Sequence, residues 1–528
     1  MIVPERSINA AEARRAKLRR AGDETFDVLV VGGGINGAAI AREAALRGLS
    51  VLVVDKGDFA SGTSSRSSKL IHGGFRYLET GNLALVFEAS RERDLLRRRL
   101  APHLVEPLRF FFPVYSGGRI GLLKLRVGFS LYDLLAAFRN IERHRIVRTG
   151  AARAAEPALR GEGLLGGAFY FDCFTDDARL VLDNVLAAEQ AGATCLNYVA
   201  VERFVREGGL LAGAELRDLD GESGGIRARA RLVVNAAGPW LDQVRALDDP
   251  AAAPVLRLTK GVHLVVPRER VGNRNAIVLQ SVRDGRVLFV IPWRDHVIIG
   301  TTDTDYRGSL DDVATESADV EYLLETANHY FPSARLAERD VVSTFAGLRP
   351  LVAGVPGEAP SFVSREEALF ESASGLISIG GGKLTTYRRI AIKVVNRVAA
   401  KLKRRFGVEA RDSSGTASLP LPGIDRGAEL AAMAAAEPSL AAPLDATEEA
   451  VKAEARFAAS DELALHVEDV LRRRTSVALK SPDLGASAAC ATAELMAQPL
   501  GWTPATAGAR ASEYVESVRS PETSRRRA

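Results

Sequence analysis

The chain has 528 residues, of which 47% are hydrophobic and 26% are charged, and its formal net charge is only +4. This length exceeds what one hydrophobic core normally supports, so we expect two or three domains. The near balance of 70 basic and 66 acidic residues gives no sign of a nucleic-acid partner. Three widely spaced cysteines, Cys173, Cys195 and Cys490, argue against a disulfide framework or a metal site and suit a reducing cytoplasm.

The first 25 residues form a basic extension that lacks the apolar core of a secretory signal. Within it, residues 12–20 read EARRAKLRR, which predicts a charged helix or a disordered lead-in. The sequence contains no window of 18 uncharged apolar residues, so we predict no membrane-spanning helix. We expect a cytoplasmic protein, either free or bound peripherally to the inner face of the cell membrane.

Residues 26–56, FDVLVVGGGINGAAIAREAALRGLSVLVVDK, carry the strongest structural signal in the chain. Residues 28–31 form a short β-branched run that predicts a strand buried on both faces. The small residues of 38–46 predict a helix, and residues 50–54 predict a second buried strand. This order of strand, helix and strand predicts the first half of a Rossmann-like unit.

Gly32, Gly34 and Gly37 place a G-x-G-x-x-G pattern between the first strand and the helix. The first glycine permits the tight turn, the second lets the backbone approach a pyrophosphate, and the third lets helix and strand pack closely. The pyrophosphate would meet the N–H groups at the helix N-terminus. Asp55, 21 positions after Gly34, would accept hydrogen bonds from the ribose hydroxyls. We therefore predict a dinucleotide site in preference to a purely structural glycine turn.

Residues 59–79, FASGTSSRSSKLIHGGFRYLE, are dense enough in Ser, Thr and Gly to suggest a linker. A linker has no need of Lys69, His72, Arg76 and Tyr77 interleaved with glycines. We expect hydroxyl and N–H groups here to line a flavin, with Arg76 reaching an anionic substrate. GTSSRSSKLIHGGFRYLE, which follows the GGGINGAAIA fingerprint, resembles the FAD-dependent glycerol-3-phosphate dehydrogenase family, part of the wider flavoprotein fold of amino-acid and sarcosine oxidases.

The resemblance covers residues 26–400 and, weakly, the tail. It implies an α/β fold with a Rossmann-like FAD-binding domain of the amino-acid-oxidase type, a β-sheet substrate (cap) domain and a C-terminal helical domain. The FAD-binding domain would take residues 26–79, 170–250 and 345–403. The substrate domain would take residues 80–169 and 251–344, the helical domain residues 413–528, and the basic extension residues 1–25.

Residues 117–139 are apolar but interrupted by Arg119, Lys124, Arg126 and Asp133. They predict either an amphipathic helix at a membrane surface or a buried helix of the substrate domain. The related enzymes pass electrons to membrane quinones, so the resemblance favours the surface-bound alternative.

Further along the chain, the sequence predicts regular elements that the family shares. Residues 167–179 predict a strand and a helix start capped by Asp176 or Asp177, and residues 180–190 predict the amphipathic helix. Strands are predicted over residues 194–206, 210–217 and 231–240, and a hairpin over residues 286–302.

Residues 256–267, LRLTKGVHLVVP, place Lys260 and His263 around a strand. A lone histidine on a strand is usually a satisfied structural residue. The family resemblance instead implies that His263 faces the substrate pocket. Residues 462–475 predict an amphipathic helix in the C-terminal domain, where we expect His466 and the arginines to serve packing or an interface.

Two arginines are candidate anion binders because of the same resemblance. Arg349 lies in the AGLRP segment of residues 346–350, and Arg365 lies in FVSREEALF. Glu366 and Glu367 replace the Asp and the aromatic or His residue that commonly follow the second arginine in the family. The assignment of Arg365 is correspondingly the weaker of the two.

Residues 376–389, LISIGGGKLTTYRR, predict a second strand, glycine turn and helix. The helix N-terminus would stabilise the N1–C2=O side of a reduced flavin, and Lys383 would neutralise that charge or contact the substrate. The resemblance implies that FAD contacts Gly32, Gly34, Asn36, Gly37, Asp55, Thr63, Ser64, Ser65, Ser68, Lys69, Leu70, His72, Val199, Gly238, Gly381, Gly382, Lys383, Leu384 and Thr385.

The implied reaction oxidises sn-glycerol 3-phosphate to dihydroxyacetone phosphate by hydride transfer to FAD, with electrons passed to a membrane quinone. His263 is the first candidate for general base and His72 its rival. Arg349 would polarise the hydroxyl. The substrate contacts would be Arg76, Tyr77, Lys260, Arg349, Arg365 and Lys383.

Other functions stay open at this stage. The protein would alternatively be an oxidase that uses oxygen and releases hydrogen peroxide, or a non-catalytic flavin-binding protein. An amino-acid oxidase is conceivable from the fold alone, because fold does not fix substrate. A homodimer is also left open.

Overall fold

The computed structural model describes residues 9–74, 82–118, 120–135, 140–221, 224–353, 367–447 and 449–519. Its strands are β1 (Thr25–Val31), β2 (Val51–Val54), β3 (Leu70–Ile71), β4 (Glu106–Tyr115), β5 (Arg145–Arg148), β6 (Leu164–Phe174), β7 (Thr194–Leu196), β8 (Val199–Glu207), β9 (Leu210–Asp218), β10 (Ile226–Asn235), β11 (Leu256–Pro267), β12 (Ala276–Gln280), β13 (Val287–Trp293), β14 (His296–Gly300), β15 (Thr304–Asp305), β16 (Ser343–Val352), β17 (Ala368–Glu371) and β18 (Ile377–Gly380).

The α-helices of these ranges are α1 (Ala10–Asp23), α2 (Ile35–Leu46), α3 (Leu83–Leu95), α4 (Leu122–Leu135), α5 (Thr149–Ala155), α6 (Asp177–Gln190), α7 (Leu241–Asp248), α8 (Arg268–Val271), α9 (Ser317–Tyr330), α10 (Tyr387–Phe406), α11 (Arg426–Ala436), α12 (Lys452–Asp461), α13 (Val467–Asp469), α14 (Val477–Lys480), α15 (Ala489–Leu500) and α16 (Pro504–Arg519). None of these helices is long and apolar enough to cross a membrane.

The first sheet has a parallel centre, in which β18, β10, β1, β2 and β7 lie side by side. β17 extends one edge, and the antiparallel β8–β9 hairpin joins through β10. Val28 and Val30 of β1 belong to the core that includes α2, α6 and α10, whereas Leu29 and Val31 belong to the core that includes α1. Alternate residues of one strand therefore enter two cores, which is why β1 reads as a continuous apolar run.

The second sheet follows the order β15, β11, β14, β13, β12, β4, β6 and β3, with β16 beside β11 and β5 beside β6. β11 and β16 pair antiparallel over ten residues, with Thr259 opposite Arg349 and His263 opposite Phe345. Helix α9 packs on one face, where its Val320 and Leu323 join the core of Val262 and Leu264. The hairpin predicted over residues 286–302 is confirmed as β13 and β14.

Helix α4 lies in the segment for which two alternatives were predicted. It buries Leu125, Phe129 and Tyr132, so one of its faces belongs to a hydrophobic core. Its other face exposes Leu123 and Val127, among other large apolar side chains. The helix thus combines a packed face with an uncovered apolar one.

Several predicted boundaries change in the structure. β3, β6 and β16 lie in the second sheet, so the segments predicted as FAD-binding at residues 26–79, 170–250 and 345–403 each contribute a strand near one end to that sheet.

Two predicted elements are also divided. The strand predicted over 194–206 is split into β7 and β8 at Tyr198, whose φ is +56°. The helix predicted over 462–475 begins only at Val467, and residues 470–474 then form a π-helical turn.

Candidate active site

The turn between β1 and α2 is closed by atoms that leave no room for side chains. Gly32 has φ +107°, and a Cβ there would lie 2.6 Å from the carbonyl oxygen of Ala236 after β10. A Cβ on Gly37 would lie 1.8 Å from the Gly32 carbonyl oxygen. Gly34 is the N-cap of α2 and has no side chain to occupy the helix N-terminus. The turn therefore presents a helix N-terminus at which the N-cap residue itself brings no side chain, as in helices that bind a pyrophosphate.

Asp55 closes this turn from the end of β2. Its Oδ2 accepts a hydrogen bond from Gly33 N at 2.6 Å, and its Oδ1 accepts one from Gly57 N at 2.8 Å. Burial raises the pKa of Asp55 to about 6, although both hydrogen bonds act in the opposite direction. A carboxylate has about four lone-pair sites, so these two bonds leave capacity for ribose hydroxyls.

The loop of residues 63–68 joins the dinucleotide turn to the second sheet. Ser64 Oγ accepts from Ile35 N at 3.1 Å, and Thr63 Oγ1 donates to Leu348 O of β16 at 2.6 Å. Arg66 crosses β16 so closely that a Cβ on Gly347 would lie 2.8 Å from its Cβ. This loop thus lies between the predicted cofactor site and β16.

The second glycine turn reaches the same place from the other end of the chain. Asn36 Nδ2 of α2 donates to Gly381 O at 3.4 Å, and His72 N donates to Thr385 Oγ1 at 3.1 Å. Gly382 has φ +96°, and Lys383 precedes a 3₁₀ turn that contains Leu384 and Thr385 and leads into α10. The two glycine turns predicted from sequence are therefore neighbours.

His263 lies on β11 beneath this loop. Its Nε2 hydrogen-bonds to Ser68 Oγ at 2.9 Å, and its ring stacks on Phe345 with centroids 4.6 Å apart. Only 2% of the residue is exposed. Burial, together with the positive charges of Arg349 and Lys69, lowers the pKa of His263 from 6.5 to about 3, so the imidazole is neutral at physiological pH.

Arg349 shares a face of the second sheet with His263. Arg349 lies opposite Thr259, which is four residues before His263 on β11, so the two side chains project from the same face. Its guanidinium folds over Gly261, where an added Cβ would lie 2.4 Å from Arg349 Nη2. Asp303 Oδ1 accepts from its Nη1 at 3.2 Å, and Thr301 Oγ1 accepts from its Nη2 at 3.0 Å. A cation and a neutral imidazole therefore lie together where the loop of residues 63–68 crosses the sheet.

Lys260 is not brought into this arrangement. It is three residues from His263, so the period of two along a strand turns its side chain to the opposite face. There its Nζ lies 2.7 Å from Asp319 Oδ2 and 3.1 Å from Glu316 Oε2, beside α9. Lys260 therefore lies on the other side of the sheet from His263 and Arg349, and its predicted contact with the substrate is not supported.

Lys69 also has a structural partner. Its Nζ donates to Asp177 Oδ1 at 2.5 Å, and Ser67 Oγ donates to Asp177 Oδ2 at 2.7 Å. Asp177 is completely buried, whereas the neighbouring Asp176 caps α6 by accepting from Arg179 N. The sequence predicted a cap at Asp176 or Asp177, but it did not reveal that Asp177 holds the segment that is predicted to line the flavin.

The other predicted residues have simpler positions. Val199 and Leu70 are buried in hydrophobic cores, Ser65 ends the 3₁₀ turn of the loop, and Gly238 follows β10 with φ +54°. Arg76, Tyr77, Arg365 and Glu366 lie outside the described residues, while Glu367 forms an ion pair with Lys393. Asp303 and Phe345 were missed because neither belongs to a recognisable motif.

Known proteins match these features over most of the chain. The FAD dependent oxidoreductase family matches residues 27–388, and the C-terminal domain of alpha-glycerophosphate oxidase matches residues 379–507. Glycerol-3-phosphate dehydrogenase 2 of Mycobacterium bovis is 39% identical over 96% of this chain and 90% of its own length. Aerobic glycerol-3-phosphate dehydrogenase of Staphylococcus epidermidis is 39% identical over 77% of this chain and 72% of its own length. The X-ray structure of glycerol-3-phosphate dehydrogenase from Bacillus halodurans, complexed with FAD, has a TM-score of 0.76 and 29% identity and covers 96% of this chain and 98% of that one.

Proposed function

The chain belongs to the FAD-dependent glycerol-3-phosphate dehydrogenase family, and from that premise we propose that it oxidises sn-glycerol 3-phosphate to dihydroxyacetone phosphate. The family membership establishes FAD as its cofactor. Bound FAD supplies the acceptor for the hydride that leaves C2 of the substrate. The observation that carries the proposal is the shared sheet face of His263 and Arg349 beside the dinucleotide turn.

Arg349 would hold the anionic substrate and polarise its hydroxyl. A guanidinium presents several N–H donors in a fixed plane, which suits the paired oxygens of a phosphate. Asp303 and Thr301 accept from its two terminal nitrogens and so fix its orientation. Arg76, Tyr77, Arg365 and Lys383 remain proposed substrate contacts from the family resemblance.

His263 would take the proton of the C2 hydroxyl. Its imidazole is neutral, because burial and two nearby cations disfavour the protonated form. Nε2 is occupied by the Ser68 hydroxyl, whereas Nδ1 is buried and has no partner among the described residues. With the neutral imidazole protonated on Nε2, where it would stay hydrogen-bonded to Ser68 Oγ, Nδ1 would be the atom that accepts the hydroxyl proton. His72 would serve to orient the flavin, since its backbone N–H is held by Thr385 Oγ1.

The test is anaerobic mixing of the purified holoenzyme with sn-glycerol 3-phosphate, followed by flavin absorbance. We expect bleaching by this substrate and none by glycerol or glycine, because both lack the phosphate that Arg349 would hold. Bleaching by glycine alone would overturn the proposed substrate. A quinone analogue or air is then admitted to the reduced enzyme, and we expect the quinone to restore the absorbance faster than oxygen does. Faster recovery with oxygen and release of hydrogen peroxide would make the enzyme an oxidase instead.

We further propose that α4 rests on the membrane surface that holds the quinone, at the inner face of the cell membrane. Leu123, Val127 and Leu134 lie along one stripe of the helix and are 76%, 62% and 61% exposed. Lys124 and Arg126 are also exposed and would attract anionic lipid headgroups. An apolar stripe with flanking cations is typical of a helix that lies in the interface plane.

Vesicle sedimentation tests this contact. Replacing Leu123 and Leu134 by Gln removes about 3 kcal/mol of favourable apolar burial in the membrane. The partition coefficient of the protein into vesicles that contain phosphatidylglycerol should therefore fall roughly a hundredfold. Leu247→Gln, at another exposed apolar position, is the matched control and should bind as the unaltered protein does. Equal vesicle binding by the double variant and the control would exclude α4 as the membrane contact.

A further inference from the structure

Asp58 is a fully buried carboxylate in the loop that follows β2, and the proposed reaction does not use it. Three side chains donate to it. Arg473 Nε donates to Oδ2 at 2.6 Å, Arg474 Nη2 donates to Oδ1 at 3.0 Å, and Asn197 Nδ2 donates to Oδ1 at 3.0 Å. Arg474 Nη1 adds a further short bond to Oδ2. Such complete pairing is what a buried charge requires.

Both arginines come from the C-terminal helical region. They end the π-helical turn of residues 470–474, which follows α13. Arg473 Nη2 also donates to Asp469 Oδ1 at 2.6 Å, and Arg474 Nη2 donates to Glu462 O at 2.8 Å. Arg472, in the same run, keeps 32% of its side chain exposed, and its Nε lies 3.4 Å from Oε1 of Glu468, four residues earlier in α13. The turn thus directs two of three consecutive arginines at Asp58.

The residues on either side of Asp58 contact the dinucleotide turn directly. Gly57 N donates to the Asp55 carboxylate, and Ala60 N donates to Gly33 O at 3.2 Å. The ring of Phe59 lies so close to Gly33 that a Cβ there would be 2.3 Å from it. Fixing Asp58 therefore fixes both the ribose-binding carboxylate and the backbone that faces the pyrophosphate.

We propose that Arg473 and Arg474 are positioning residues of the FAD site, through which the C-terminal region holds the loop of residues 55–60 against the dinucleotide turn. Asp58 remains ionised at working pH, because the two arginines hold its pKa well below its usual range despite its burial. Loss of either guanidinium leaves this carboxylate short of donors, and the loop is then free to relax away from Gly33. FAD affinity should fall as a result.

The test is dilution of the purified holoenzyme, with the increase in flavin fluorescence reporting the FAD that is released. For Arg473→Gln and Arg474→Gln we expect a dissociation constant on the order of tenfold higher, the lower end of the cost of removing a supporting residue at metal sites. Arg472→Gln is the matched control and should release FAD as the unaltered protein does. Arg473→Lys and Arg474→Lys keep the charge without the planar fork and carry the same test where the Gln variants do not fold.

Melting temperatures measured with and without added FAD separate positioning from simple packing. A positioning role predicts that added FAD raises the melting temperature less in the Arg474 variants than in the Arg472 control. The proposal is overturned if the variants retain the FAD dissociation constant of the control, whether or not they melt earlier. Neither readout needs substrate, so the outcome does not depend on the proposed reaction.

Discussion

Replacing His263 by Asn should change how the stability of the protein depends on pH. In the folded protein the pKa of His263 is about 3, while the ordinary value is 6.5. Between these values the unfolded chain binds a proton that the folded protein does not. The contribution of His263 to the free energy of unfolding is therefore highest above pH 6.5. Below that value it falls by about 1.4 kcal/mol for each pH unit. The asparagine side chain of the variant does not titrate, so residue 263 would make no pH-dependent contribution to its free energy of unfolding.

Between pH 7.5 and pH 5 this linkage amounts to about 2 kcal/mol. The assay is denaturation by urea at each pH, with unaltered protein and His263→Asn compared at equal FAD content so that the other titrating groups cancel. The stability difference between the two proteins should shrink by that amount towards pH 5. A constant difference would mean that the folded protein protonates His263 near its ordinary pKa, and the burial argument would fail.

His466 supplies a control of opposite sign. Although burial lowers the pKa of His466, its ion pair with Asp220, 3.0 Å between Nε2 and Oδ1, and the charge of Asp469 raise it above the ordinary value of 6.5. Its stabilisation is therefore complete below pH 6.5 and is lost as the pH rises. The stability difference between unaltered protein and His466→Asn should accordingly shrink on going to alkaline pH.

Two further predictions concern cofactor and substrate. Gly37→Ala puts a Cβ 1.8 Å from Gly32 O, and relief of such overpacking costs about 1–3 kcal/mol, or at least about a fivefold factor in affinity. The purified protein should therefore retain at most about a fifth of the flavin absorbance of a Gly427→Ala control, whose new Cβ meets nothing within 4 Å. Arg349→Lys should raise the KM for sn-glycerol 3-phosphate at least about tenfold, because lysine lacks the planar fork of the guanidinium. Lys260→Gln should leave that KM within about twofold of the unaltered value. A larger effect of Lys260→Gln would contradict the placement of Lys260 beside α9.

The dinucleotide-binding unit was predictable because its signals are local. The strand, the glycine spacing, the helix and Asp55 all fall within about 30 consecutive residues, and each has its own physical reason to be there. The structure confirms β1, α2 and β2, and the comparisons confirm the predicted α/β fold class and FAD. The second glycine turn was equally legible, although only the structure shows that Asn36 reaches Gly381.

The substrate site was less predictable, because a strand pattern gives two faces without saying which face meets the cofactor. The odd spacing of three between Lys260 and His263 already separated them, and that signal was available in the sequence. What the sequence did not reveal was that Asp319 and Glu316 of a later segment would pair with Lys260. Similarly, Arg473 and Asp58 are 415 positions apart, and no local pattern joins them.

The placement of His263 beside Arg349 has a consequence for the proposed reaction. A base with a pKa of about 3 is well protected from protonation but is a weak acceptor for a hydroxyl proton. Part of that depression comes from the charge of Arg349, which an anionic substrate would offset on binding. The imidazole should thus become more basic only when the phosphate is in place. On this argument the anion site does more than hold the substrate, because it also brings the base towards the pKa at which proton transfer is efficient.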